Sequence, residues 1–137
     1  MALTHLVDTS VLTRLHHRAI REVVEPLAAS GRLGRATVSD LELGFSARNA
    51  KEWDQIHAAL DPFVPISTTT DHLQRALHVQ RLLAARSQRG RKIPDLLIAA
   101  AAEEQGVVLL HYDADFEHIA SATGQAHAWV VRQGSVD

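Results

Sequence analysis

With 137 residues, 46% of them hydrophobic and 22% charged, the chain has material for one ordinary core and little room for a second domain. Zero cysteines exclude disulfides and thiolate metal sites, and a net charge of -2, from 14 basic against 16 acidic side chains, gives no overall attraction to nucleic acid. No apolar run reaches the ~18 residues of a membrane span. The opening MALTHLVDTSVL lacks a basic start and carries an aspartate in its apolar part, so no signal peptide is read there and a cytoplasmic protein is expected.

Taken in chain order, HLVD (5–8) reads as a short apolar strand. A helical segment follows from about Val11 to Ala29, interrupted near His16 and His17 and stopped by Gly31. RATVS (35–39) reads as a second strand, and 40–60 as one helix with Trp53, Ile56 and Leu60 at helical spacing, closed by Asp61-Pro62. FVPIS is an edge strand or loop because of its proline. Leu73, Ala76, Leu77, Leu83 and Ala84 mark a further helix, and SQRGRKIP is loop-like. DLLIAAAAEEQG is a helix apolar on nearly all sides, hence buried, with Gly106 as its stop. VVLL (107–110) is a strand of the kind covered on both faces, DADFEHIA begins another helix, and HAWVV is the last strand. Strands alternating with helices predict a single α/β domain over 1–137, with a short, mostly parallel central sheet and helices on both faces.

The acids fall at related places. Asp8 ends the first strand, Glu42 lies in the first turn of the helix after the second, Asp95 opens the apolar helix, and Asp113 and Asp115 follow VVLL. In a parallel sheet these places lie along one edge, outside the strand C-termini, where ligand crevices form. Each acid also has a structural reading. Asp8, Asp95 and Asp113 suit helix starts, and Ser39-Asp40-Leu41-Glu42 has the form of a capping box. Gathered in one crevice, however, four or five carboxylates repel one another unless a cation is present. Oxygen donors without cysteine suit a hard divalent ion, Mg²⁺ or Mn²⁺. Six basic residues and no acid lie between Arg75 and Lys92, a local patch able to hold phosphates.

Four pieces, LVDTSVL, SDLELGFSAR, IPDLLIAAAA and LLHYDADFEHIA, in this order and spacing, resemble the PIN-domain ribonucleases of the VapC toxin type along essentially the whole chain. The resemblance implies a Mg²⁺ or Mn²⁺ site built by Asp8, Glu42, Asp95 and Asp113, with Asp115 as a further acid of the catalytic set. It implies that Ser10 supports the acidic pocket, and the family often has threonine where this chain has His111. It further implies an endoribonuclease toxin acting on tRNA or rRNA, a cognate antitoxin that covers the site, and a homodimer, for which the helix side near Trp53 and Ile56 is one candidate surface. Attack by an activated water predicts 5′-phosphate and 3′-hydroxyl products. Arg86, Arg89, Arg91 and Lys92, just before Asp95, are expected to grip RNA phosphates, with Arg14 and Arg48 as weaker candidates. Aromatic residues are only 4% of the chain, which argues against base-stacking platforms, and Phe45, Trp53 and Trp129 are read as core.

Three other readings stay open from the residues alone. A non-catalytic module could use the acids to bind a basic partner. A HAD-like phosphatase also places D-x-D after a strand, but here Asp115 is followed by Phe116-Glu117 and the only lysines are Lys51 and Lys92. A zinc site could draw on His111, Asp113, Asp115 and His118.

Overall fold

Five short strands form one parallel sheet: β1 (His5–Val7), β2 (Leu33–Ala36), β3 (Val64–Ile66), β4 (Val108–His111) and β5 (His127–Trp129), in the spatial order β3-β2-β1-β4-β5. The helices are α1 (Thr9–Leu12), α2 (Arg18–Ala29), α3 (Thr37–Gly44), α4 (Ala50–Ala58), α5 (Thr70–Ala85), α6 (Ile93–Gln105) and α7 (Asp115–Thr123). The computed structural model describes residues 2–88 and 92–137. Among them, no helix is long and apolar enough to cross a membrane.

Period-two alternation sorts the central strands between two cores. Leu6 and Leu109 face one core with Ala76, Val79 and Leu83 of α5, Ile98, Ala99, Ala101 and Ala102 of α6, and Phe116 and Ile119 of α7. Val7 and Leu110 face the other with Val11, Leu12, Ile20 and Val24 of α1 and α2. The alanines of α6 are small enough for that helix to lie close to its neighbours, and all are buried. Gly106 ends α6 in the left-handed conformation that the sequence predicts for a helix stop (φ 67°).

Four expectations need correction. The second strand begins and ends earlier than RATVS, and α3 starts at Thr37 with no side-chain cap from its own sequence. Its first turn is instead satisfied across space: Thr68, beyond β3, accepts the Val38 N–H (3.1 Å) and donates its own N–H to Thr37 Oγ1 (2.9 Å). Ser39 is therefore not a cap but a buried residue inside the helix, and Glu42 lies beyond the first turn.

The 40–60 helix is two helices. Asn49 caps α4 by accepting the Glu52 N–H (2.9 Å), and α4 packs against Gly44, where an added Cβ would lie 2.8 Å from Trp53 Nε1. Phe45 and Trp53 are not core: they are 92% and 48% exposed. Trp53 stacks on His57 (3.7 Å between ring centroids), and Trp129 is half-buried with its indole N–H donated to Glu117.

Candidate active site

The direction of chain progression reverses at the centre of the sheet, where β1 and β4 are neighbours: β2 and β3 add to one side of β1, and β5 adds beyond β4. A crevice outside the C-terminal ends of strands at such a reversal is the usual ligand position in open parallel sheets. Here a cleft of about 660 Å³ opens there, and Asp8, Glu42, Asp95 and Asp113 all line it.

Asp8 is placed by β1. Its N–H donates to Leu110 O (2.9 Å), extending the ladder with β4, and its Oδ2 accepts the Ser10 N–H (2.8 Å) as the cap of α1. The helix-start reading and the pocket reading of Asp8 thus hold together, one oxygen serving each: Oδ1 is buried without a hydrogen-bond partner. Ser10 braces the pocket from behind. Its Oγ accepts the Tyr112 N–H (2.9 Å), which joins the end of β1 to the end of β4 across 102 residues of chain.

Asp95 is delivered by the first turn of α6, directly after Pro94, whose fixed φ suits a helix start. It is 4% exposed, and its Oδ2 is the second orphaned carboxylate oxygen. Asp113 turns the chain after β4, its Oδ1 accepting the Asp115 N–H (2.9 Å). Asp95, Asp113 and Asp115 can each bring an oxygen within 4.8 Å of the others.

Glu42 is held by a residue that sequence reading passes over. Thr9 Oγ1 donates to Glu42 Oε1 (2.6 Å) and lies 2.9 Å from the buried Ser39 Oγ. Because Thr9 has one proton and an ionised carboxylate only accepts, Ser39 completes the chain as donor to Thr9.

The electrostatics follow from this crowding. Burial, with Glu42 adding repulsion, pushes Asp8 up to about 6 even against the bonds from Ser10. Burial, then Asp8 and Asp113, push Asp95 up to about 8, with Lys92 opposing. Lys92 Nζ is 3.9 Å from Asp113 Oδ2. Two buried orphan oxygens in an all-oxygen donor set are what a hard divalent cation satisfies, so the residues present fit such an ion.

His111 is not part of that set. It is fully buried, its Nδ1 accepts the Asp113 N–H (3.3 Å), and its Nε2 lies 2.9 Å from His127 Nδ1. Burial and the neighbouring His127 hold it down at about 4, so it is a neutral brace for Asp113. Nε2 then carries its proton and donates to His127. His118 lies 3.4 Å from Gln88. The two histidines of the zinc reading therefore have other partners.

Of the expected RNA contacts, Lys92 lines the cleft, whereas Arg86 caps α5 and donates to Ser121 O on α7 (2.9 Å), away from the lining residues. Arg89 and Arg91 lie outside the described residues. The cleft is also lined by Arg14, Tyr112, Trp129 and tail residues among 133–137; only Arg14 carried a sequence signal, its charge, and the rest had none within local reach.

Fold and site together define a class: an α/β protein with a short parallel sheet and a carboxylate pocket at the point where strand order reverses. A family model described as "PIN domain" matches residues 5–122. The chain is 58% identical to Ribonuclease VapC51 of Mycobacterium tuberculosis over 137 residues, covering all of both chains. The crystal structure of DNA-bound VapBC from Salmonella typhimurium superposes with a TM-score of 0.76 at 15% identity, covering 94% of this chain and 99% of that one. VapBC-5 of Mycobacterium tuberculosis, a member of the VapBC family of toxin–antitoxin systems, gives a TM-score of 0.65 at 23% identity, over 93% and 98%. The chain belongs to the PIN-domain family, and within it to the VapC ribonucleases.

Proposed function

We propose that this VapC ribonuclease uses Asp8, Glu42, Asp95 and Asp113 to hold Mg²⁺ or Mn²⁺, with Asp115 completing the catalytic acids, and hydrolyses a phosphodiester of tRNA or rRNA. The observation that carries the reading is the pair of orphaned oxygens, Asp8 Oδ1 and Asp95 Oδ2, buried on one cleft at a strand-order reversal. A divalent ion bound there supplies a water acidic enough to attack near neutral pH and positive charge for the leaving oxygen. The chain's own part is placement. β1 and α6 fix Asp8 and Asp95, Ser10 holds Asp8 in register with Tyr112, and Thr9 orients Glu42. Lys92, with Arg89 and Arg91, offsets the acids' repulsion of the RNA backbone, whereas Arg86 is held on α7.

The protein acts in the cytoplasm as a homodimer whose protomers are single domains over 1–137. A cognate antitoxin with a basic side chain, entering the same cleft, would take the cation's place as counter-charge; the toxin–antitoxin membership of VapBC-5 supports this partner. The test is cleavage of bulk tRNA and rRNA by the purified chain. Cuts bearing 5′-phosphate and 3′-hydroxyl ends, made with Mg²⁺ or Mn²⁺ and stopped by EDTA, are expected. Cleavage unaffected by EDTA, or none on any RNA with either ion, would remove the proposal.

A further inference from the structure

The side of the cleft built by Arg14, Tyr112 and residues 133–137 takes no part in the carboxylate set. It is nevertheless firmly made. The Tyr112 hydroxyl donates to Val136 O (2.6 Å) and accepts from the N–H groups of Gly134 (2.9 Å) and Val136 (3.2 Å), which pins the tail beside β4. The Arg14 guanidinium lies 4.9 Å over the Tyr112 ring and donates from Nη1 to Ser10 O (2.7 Å) and from Nε to Asp137 O (2.9 Å).

These partners of Arg14 are two main-chain oxygens and an aromatic ring, with no acidic side chain among them. The other half-buried arginines of the described structure that tie elements together sit on carboxylates, Arg35 on Asp40 and Arg75 on Glu103. Arg14 has no acidic side chain within ion-pair distance among the described residues, because the Asp137 side chain turns to His17 (2.7 Å). Its Nη2 has no hydrogen-bond partner among the described residues. A guanidinium locked in place on the lining of a cleft, with Nη2 unengaged and no acidic side chain paired to it, is suited to an anion, and its planar donors match phosphate oxygens.

We propose that Arg14 is a phosphate-positioning residue for RNA, holding a backbone phosphate next to the scissile one, with Tyr112 and the 132–137 tail as the brace that fixes it. The assignment rests on the nuclease reading for its substrate, but it concerns binding rather than the acids. It supplies the cleft with a second cation besides Lys92, one whose side chain is already ordered before RNA arrives, so little conformational freedom is lost on binding.

The test measures binding of a fluorescein-labelled single-stranded oligouridylate in Mn²⁺ as salt is raised, for the parent, Arg14→Gln and Arg14→Lys. Thermal stabilisation by Mn²⁺ alone is measured beside it. Arg14→Gln should weaken binding severalfold and flatten the salt slope by about 0.7, the loss of one phosphate contact on a single strand. Arg14→Lys should keep the slope, and Mn²⁺ should stabilise all three proteins equally. An Arg14→Gln slope equal to the parent's overturns the proposal. So does a lysine variant that loses the slope as fully as glutamine, or a loss of Mn²⁺ stabilisation in Arg14→Gln, since either makes Arg14 a packing residue. A parent that binds the RNA through Arg14 but never cuts RNA removes the nuclease reading alone. A parent that binds no RNA overturns this contact, while tRNA or rRNA cleavage still judges the nuclease reading separately.

Discussion

Arg35, near the end of β2, and Asp95, in the first turn of α6, are both ionisable residues drawn largely out of water, and the fold treats them in opposite ways. Arg35 is satisfied on every side: Nε and Nη2 reach the two oxygens of Asp40 (2.9 and 3.3 Å), and Nη1 reaches Leu60 O and Phe63 O (3.0 and 2.6 Å). Asp95 keeps a buried oxygen with no partner and acids for neighbours. Interiors rarely leave polar groups unmet. The first arrangement therefore belongs to stability, and the second reserves a place for something the chain does not itself provide.

The largest effect should come from breaking the unmet side. Asp95→Asn keeps the shape and removes the charge. Since partners behind metal ligands already account for ~10–100-fold in activity, the ligand itself should be worth at least the top of that range. Without added metal the variant should be as stable as the parent or more so. RNA cleavage rates and urea melts in EDTA check both halves, and a variant that is destabilised in EDTA yet cuts at the parent rate would reverse the comparison.

Breaking the met side should do the opposite. Arg35→Ala strands Asp40 and two carbonyls and should cost about 2–3 kcal/mol, below the figure for a fully buried pair because both side chains retain some exposure. Measured by urea unfolding, this loss should leave the cleavage rate of the remaining folded protein unchanged.

A smaller effect is carried by pH. Asp8 and Asp95 sit at about 6 and about 8 in the folded protein, both above their ordinary 3.8. Between roughly pH 4 and 8 the folded state therefore holds protons that the unfolded chain has released, and its stability in EDTA falls as pH rises. Mn²⁺ displaces those protons, so it should raise the melting temperature more at pH 8 than at pH 5. Asp95→Asn should flatten both curves. A parent whose stability in EDTA climbs steadily from pH 4 to 8 would contradict the raised carboxyls.

Ser10→Ala should be milder still. It removes the hydroxyl that accepts the Tyr112 N–H and keeps the backbone N–H that caps Asp8, a loss of about 1 kcal/mol in a urea melt. Cleavage should fall by roughly tenfold as the Ser10–Tyr112 tie that sets the end of β1 beside the end of β4 is lost.

How much of this was legible beforehand depended on how local each cause is. Asp95 after Pro94, the buried alanine helix and the Gly106 stop are set by neighbours in sequence, and the structure keeps them. The strands around Asp8 and before Asp113 follow from apolar runs, and the strand-order reversal then brings their ends together. Glu42 reached the pocket for a reason other than the one its capping-box pattern suggested, because the cap of α3 comes from Thr68, some 30 residues away. The Thr9–Glu42 bond, the Ser10–Tyr112 bond and the His111–His127 pair are likewise contacts between distant segments. Periodicity and capping rules are blind to such contacts. Phe45 and Trp53 were read as core because they are large and apolar, but the break at Asn49 folds α4 back and leaves them outside.

The most direct test is an anomalous difference map from crystals of the protein grown with Mn²⁺. The account predicts a peak in the cleft, coordinated by Asp95 and by Asp8 or Asp113, through the oxygens that otherwise have no partner. A fully ordered cleft without a manganese peak, at a concentration where the same preparation cuts RNA, would contradict it.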